Sequence, residues 1–335
     1  MEFSAARMES WAHELNGAGA SRRPLFFLVD FEQSSPHWWP LDAATKGIPR
    51  FAFPGFSRPT EDFPGSQPKL RARHLSEERF RKAFDVVQRG LQRGDSFLTN
   101  LTFPTPIELR GTMASVFHHS EALYRVWWPG KFVCFSPETF VTVSPEGYIE
   151  SRPMKGTSRD TPGARRALLK SPKEIAEHAT IVDLIRNDLS QVAKRVRVTD
   201  YRYFHKIATS RRGLLQTSSN IGGELGDNWR NQLGSIMLKL LPAGSVSGAP
   251  KPATLKIIQE AEGGPRGYYC GIAGYFDGSR LDTCVLIRFI EEDASGNHYF
   301  RSGGGITARS DWREEYEELK TKIRIPLAVS QFSLH

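Results

Sequence analysis

Residues 124–151 read YRVWWPGKFVCFSPETFVTVSPEGYIES, and this stretch decides the fold class. Four short segments, YRVWW, KFVCF, TFVTVS and GYIES, alternate apolar and polar residues and are separated by Pro, Gly and Ser, the pattern of an antiparallel meander. The last segment runs directly into SRPMKGTSRD (151–160), where Lys155 stands between a methionine and a glycine. A lysine there is either a surface charge at a turn or a buried amine kept for chemistry, and local sequence leaves both readings open.

Upstream of the meander, PLFFLVDFE is a short apolar run bounded by Pro and polar residues, so it reads as a buried strand. Residues 1–23 before it are expected to be frayed or loosely docked. The Pro-, Gly-, Ser- and Phe-rich stretch 47–68 is expected to be a surface loop. Phe80, Phe84, Val87 and Leu91 recur at three- and four-residue steps, which predicts a helix over 75–92. Downstream, SPKEIAEHATIVDLIRNDLSQVAKRV starts a long helix, with Ser171 as N-cap, Pro172 in the first turn and Glu174 closing a capping box. A helix over 229–241 follows. A second strand-rich block (GYYCGIAGYF, DTCVLIRFIE, NHYFRSGGG) precedes a last helix starting near Ser310. Strand blocks alternating with long helices predict a mixed, layered α+β fold. Residues 1–74 form an N-terminal strand and loop region packed on a larger unit, 75–330.

A chain of 335 residues is one large unit or two closely packed lobes. With 39% hydrophobic residues and seven tryptophans it carries the apolar material of a globular core. No apolar run approaches the roughly 20 residues of a membrane helix, and MEFSAARMES lacks a signal h-region, so a cytoplasmic protein without membrane contact is expected. Three cysteines, with no C-x-x-C pair, argue against a disulfide framework or structural zinc and are read as buried thiols. The net charge of +8 fits an anionic partner, but the basic residues are dispersed and carry no nucleic-acid-binding signature, so no nucleic acid is expected.

On the long helix, Ile175, Val182, Ile185, Leu189, Val192 and Val196 form one apolar stripe, with Glu177 and Asp188 along its edge. Carboxylates there need a cation, a donor set or a metal, and an ordinary ion pair serves as well as a site. On the last helix, Trp312, Tyr316, Leu319 and Ile323 share a stripe, while Glu315, Glu318 and Lys322 line another about 100° around. Helical ion pairing explains the second stripe as well as function does. The adjacent SGGGIT adds glycines whose N–H groups could approach an anion. PAGSVSGAPK (242–251) lacks the spacing of a phosphate-binding loop and is read as a tight loop shaping a pocket wall. Arg288, inside an apolar strand, should meet an anion, from the protein or from a ligand.

SPETF (136–140), RPMKGT (152–157), EHATIVDLIRNDL (177–189), PAGSVSGAPK, RGYYCGIAGY (266–275), IRF (287–289) and GGGIT followed by S-x-x-x-x-E-Y-x-E (303–318) occur in the order typical of the chorismate-utilising enzymes. Over roughly residues 95 to 325 the chain resembles that family, and within it the aminodeoxychorismate synthase component I group. The resemblance implies a four-layer α/β/β/α sandwich with the site in a cleft between two strand-rich halves, and makes 75–330 the chorismate-binding unit. Anthranilate synthases usually have alanine where this chain has Lys155, so RPMKGT points to amination of chorismate at C4. The implied product is 4-amino-4-deoxychorismate, for 4-aminobenzoate and folate synthesis. Anthranilate and isochorismate synthesis are the alternatives, and a catalytically idle nucleic-acid binder is the alternative from another class.

The family match also assigns residues. Lys155 is the nucleophile at C2 and Glu138 the general acid for the departing hydroxyl. Glu177 and Glu318, with Glu315, are Mg²⁺ ligands. Arg288, Tyr269, Lys322, Gly304, Gly305, Ser245 and Thr157 bind substrate. Ammonia is expected from a separate glutamine amidotransferase subunit, component II. Gln216 stands where many members have histidine, and His178 replaces a common asparagine. The L-L-E-S motif of tryptophan-inhibited anthranilate synthases is absent, so inhibition by tryptophan is not expected.

Overall fold

A computed structural model describes residues 2–42, 47–57, 65–159, 161–207 and 214–327; for residues 2–4, 155–159, 162, 164, 173, 205–207 and 214–215 it describes the backbone alone. The chain opens with helix α1 (Glu2–Ala20) and strands β1 (Leu25–Val29), β2 (His37–Pro40), β3 (Arg50–Phe53), β4 (Phe56–Ser57) and β5 (Lys69–Ala72). Helix α2 (Glu77–Gln92), strand β6 (Leu98–Arg110) and helix α3 (Met113–His119) follow. Next come β7 (Tyr124–Trp128), β8 (Phe132–Ser136), β9 (Thr139–Val143), β10 (Tyr148–Ser151) and β11 (Met154–Arg159). Helices α4 (Pro162–Lys170) and α5 (Pro172–Ser190) precede the long strands β12 (Lys194–Ile207) and β13 (Leu214–Glu224). A 3-10 turn (Trp229–Gln232), α6 (Leu233–Leu240), the single turn α7 (Gly244–Ser247), β14 (Gly248–Ala249) and α8 (Lys251–Glu262) lead to β15 (Ile272–Phe276). The last elements are β16 (Leu281–Val285), β17 (Phe289–Glu292), β18 (His298–Ile306) and α9 (Trp312–Thr321).

These strands make two nine-stranded antiparallel sheets, as the expected α+β sandwich requires. The first runs β11-β13-β10-β9-β16-β15-β1-β2, with β12 beside β13, and the second β14-β6-β18-β17-β8-β7-β3-β4, with β5 beside β6. Their inner faces meet through aromatic packing: Phe26 of β1 stacks on Phe51 of β3 at 4.0 Å between ring centroids. Helices cover the outer faces, giving the α/β/β/α layering. On one side Trp11 of α1 packs edge-on against Phe27 of β1 at 5.5 Å. On the other, α2 and α9 bury Phe80, Phe84, Tyr316 and Leu319 over Leu101, Phe103 and Ile306 of β6 and β18.

The single meander expected over 124–151 is instead two hairpins on different sheets. Strands β7 and β8 pair in the second sheet, β9 and β10 in the first, and the chain crosses between sheets at Ser136–Glu138. DTCVLIRFIE splits the same way into β16 and β17, crossing back at Leu286–Arg288. The two crossings run side by side, joined by hydrogen bonds from Val285 N to Glu138 O (3.2 Å) and from Phe135 N to Arg288 O (3.0 Å).

Three further expectations are corrected, and one long strand was not foreseen. Residues 1–23 are not loose: α1 buries Met8, Trp11, Ala12, Leu15 and Ala18. It packs so closely on α6 that a Cβ on Gly234 would lie 2.2 Å from Ala12 O. The stretch 47–68 contributes strands β3 and β4, and its residues 58–64 lie outside the described residues. The long helix ends at Ser190, because the alternating β-branched and aromatic run RVRVTDYRYF favours β12; Val192 and Val196 therefore leave the helical stripe, and Ile175 is exposed. Strand β6 was hidden by Pro104 and Pro106, which normally argue against a strand interior. Among the described residues β14 pairs at 98–99 and β5 at 107–110, so Pro104 sits where only β18 lies alongside, and Pro106 sits just past the end of β5, where its carbonyl accepts from Arg73 N at 2.9 Å.

Candidate active site

A cavity of about 480 Å³ is lined by residues of both sheets. The two crossings supply part of its wall, with Pro137 and Glu138 from one and Ile287 and Arg288 from the other. Glu138 is half-buried, its backbone N–H donating to Ser136 Oγ at 3.1 Å. Arg288 takes a left-handed backbone conformation (φ 55°), uncommon for a residue with a side chain and suggestive of a functional constraint. Its Nη1 donates to Lys322 O at 2.7 Å, and among the described residues no carboxylate lies within ion-pair distance. Burial, and then Arg324, push the guanidinium below its ordinary value. Tyr269 is buried against it, and burial drives the phenol well upward, so it stays a neutral donor.

The strand β18 forms the floor. Gly303, Gly304 and Gly305 lie opposite Thr102, Leu101 and Asn100 of β6 and line the cavity. A methyl group on Gly304 would sit 3.5 Å from Lys322 Nζ, 3.6 Å from Glu315 Oε2 and 3.9 Å from Glu318 Oε1, so three side chains of the last helix and its cap converge over this glycine. Lys322 Nζ pairs with Glu318 Oε1 at 2.7 Å and donates to Gly303 O at 2.7 Å. The helical ion pair read from spacing is therefore present, and it lies on the cavity wall rather than the open surface. Glu315 is buried.

Helix α5 supplies the opposing carboxylates, Glu174 and Glu177. Asp188 does not join them: it is buried and pairs with Lys251 Nζ of α8 at 2.9 Å. Sequence reasoning missed Glu174, whose place in the capping box hid a second role. Ser171 Oγ accepts from its backbone N–H at 3.3 Å, while its side chain, one turn before Glu177, faces the cavity. Also unforeseen were Asn100, Arg301, Ser302 and Arg324 on the wall, none of which has a local sequence signature.

Ser245 lines the cavity from α7, confirming that PAGSVSGAPK shapes a pocket wall. Met154 and Gln216 close the far side. The side chains of Lys155 and Thr157 lie outside the described residues. Their backbones pair with Thr217 and Gln216, with a one-residue bulge at Gly156. His178 is fully buried, its Nε2 2.7 Å from Ser219 Oγ, and no histidine lines the cavity among the described residues.

Glu174, Glu177, Glu315 and Glu318 are hard oxygen donors on one cavity, with Glu315 and Glu318 brought together over Gly304. Among the described residues no three metal-ligating side chains converge into a ready cage. Carboxylate oxygens are the donor type that hard cations such as Mg²⁺ take. Glu138, Glu174, Glu177, Glu315 and Glu318 share the cavity wall with Arg288, Arg301, Arg324 and Lys322, Lys322 being paired with Glu318 and Arg301 with Glu291, which makes the cavity strongly polar.

This fold is that of the chorismate binding enzymes, and the chain belongs to that family, whose profile matches residues 25–328. It is 45% identical over 323 residues to a PabA-like protein of Pasteurella multocida, covering 96% of this chain and 99% of that one. It is 29% identical to aminodeoxychorismate synthase component 1 of Bacillus subtilis, covering 73% and 54%, and 32% identical to anthranilate synthase component 1 of Acetivibrio thermocellus, covering 74% and 52%. Anthranilate synthase component I from Streptococcus pneumoniae superposes with a TM-score of 0.64 at 26% identity, over 79% of this chain and 61% of that one. Among the described residues no helix is long and apolar enough to cross a membrane.

Proposed function

We propose that the protein aminates chorismate at C4 with ammonia, giving 4-amino-4-deoxychorismate. The observation that carries this reading is the convergence of Glu315, Glu318 and Lys322 over Gly304 in a cavity that also holds Glu138, Glu177, Arg288 and Tyr269. Likeness to the Bacillus subtilis aminodeoxychorismate synthase supports it, as does RPMKGT at 152–157.

Arg288 and Tyr269 hold one substrate carboxylate through charge and a neutral phenol donor. Glu177, Glu315 and Glu318 would hold Mg²⁺, which when bound neutralises the ring carboxylate. Neutral Lys155 Nζ bonds to C2 while the C4–O bond breaks, and Glu138 gives its proton to the departing hydroxyl, which leaves as water. Ammonia then bonds to C4 as the C2–N bond breaks and the electron pair returns to Lys155; the new ammonium loses a proton. Ammonia comes from a glutamine amidotransferase subunit, and the product serves folate synthesis in the cytoplasm.

Mass spectrometry of the product from chorismate, Mg²⁺ and ammonium salt tests this, with Lys155→Ala alongside. Wild type should give a nitrogen-containing product that keeps the enolpyruvyl ether, and the variant should not. Anthranilate from both would favour the anthranilate synthase reading that the 32% identity also supports.

A further inference from the structure

Beneath the cavity lies a buried ion pair that the reaction does not use. Arg266, 1% exposed, meets Glu262 with Nε to Oε2 at 2.9 Å and Nη2 to Oε1 at 2.6 Å. Its remaining donors reach two backbone carbonyls, Nη1 to Val246 O and Nη2 to Asn100 O, both at 2.6 Å. Glu262 Oε1 also accepts from Thr102 N at 2.8 Å. The guanidinium lies over the Phe31 ring, 4.4 Å from its centroid, and Glu32 accepts from the N–H groups of Arg266 and Gly267 at 2.8 and 3.0 Å.

Asn100, Val246 and Tyr269 all line the cavity and come from β6, α7 and the loop before β15, segments far apart in sequence. One planar fork spans two of them directly and anchors the third by sitting three residues before it. Lysine, with a single compact ammonium, cannot reproduce that geometry. Glu262 ends α8, where a carboxylate is disfavoured by the helix dipole, so Arg266 also compensates its charge.

We infer that Arg266 and Glu262 are positioning residues, a buried clamp that sets the mutual placement of the β6, α7 and Tyr269 walls of the site. Misplacing a site wall by about 1 Å can cost about 100-fold in rate. The kinetic part of the test rests on the reaction proposed above; the structural part does not.

The experiment compares wild type, Arg266→Lys and the apolar pair Arg266→Met/Glu262→Met. It reads hydrogen exchange by mass spectrometry, thermal midpoint and kinetics with chorismate and ammonium. In Arg266→Lys, exchange at residues 98–102 and 244–249 should accelerate while β1 and β15 remain as in wild type, and kcat should fall about 100-fold with KM changing less. The apolar pair should regain thermal stability, since no charge is left buried alone, without regaining kcat. Exchange and kcat both within about twofold of wild type in a folded Arg266→Lys would overturn the clamp, as would an apolar pair that recovers stability and kcat together. Accelerated exchange in a protein whose wild type leaves chorismate untouched would keep the clamp and sink the reaction instead.

Discussion

Asp282→Asn should make the protein more stable as pH rises, although the substitution breaks no steric contact. Asp282 lies on β16 of the first sheet, and its Oδ1 accepts from the hydroxyl of Tyr124 on β7 of the second at 2.8 Å. The same hydroxyl is 2.7 Å from Thr139 Oγ1 of β9, so a polar bridge crosses the aromatic interface between the sheets. Burial raises the carboxyl of Asp282 from 3.8 to about 6, against the opposing effects of Tyr124, Arg152 and Arg280. The sign follows from proton counts. Between about pH 4 and pH 6 the folded chain holds a proton that the unfolded chain has released, so this residue's contribution declines as pH rises and is fully unfavourable above about 6. A displacement from 3.8 to about 6 corresponds to about 3 kcal/mol. Asparagine keeps an acceptor for Tyr124 and cannot ionise. Urea unfolding of both proteins at pH 4.5, 6 and 8 measures the effect, with the midpoint interpreted at constant m. The variant should gain on wild type by about 2 kcal/mol between pH 4.5 and pH 8, the rest of the effect lying below pH 4.5. A difference independent of pH, or one that shrinks as pH rises, would refute the reasoning.

Three other outcomes are expected. Glu318→Gln should raise the Mg²⁺ concentration for half-maximal activity by about 10- to 100-fold, and an unchanged Mg²⁺ titration would remove Glu318 from the metal site. Gly304→Ala places its methyl in ordinary contact and should bind chorismate nearly as wild type, whereas the larger Gly304→Val should crowd Glu315, Glu318 and Lys322 and raise the chorismate KM at least about tenfold. Lys251→Met leaves Asp188 buried without its cation and should cost about 3 kcal/mol in denaturant unfolding, partly recovered by adding Asp188→Asn.

The legible parts of this fold were those whose local signals agree with their surroundings. Helix α2 shows its period and α5 its cap, and the hairpin strands alternate as half-buried strands do. Strand β6 went unread, since two prolines mask its pattern, and only its neighbours explain why they are tolerated. Helix α1 was missed although Met8, Trp11, Ala12, Leu15 and Ala18 recur at three- and four-residue steps, and its burial depends on the close approach that Gly234 permits. The site divides along similar lines. Glu138, Glu177, Arg288, Glu315 and Glu318 came from motif order, and each lies on the cavity. Glu174 was obscured because one residue served two purposes. Asn100 and Arg301 gather only through the pairing of β6 with β18 across a long separation, and Arg324 follows α9, which no window of sequence brings together.

The paired crossings at Ser136–Glu138 and Leu286–Arg288 have a mechanical consequence. They act as two rivets set next to each other through both sheets, and the residues proposed as acid and as carboxylate holder are mounted on the rivets themselves. The spacing of those two groups is therefore set by the crossings and not by the turns at the ends of the hairpins. Lengthening the turns at 144–147 or 293–297 should therefore leave the chemistry intact, whereas a single inserted residue at 137 or 287 should abolish it even in a chain that still folds.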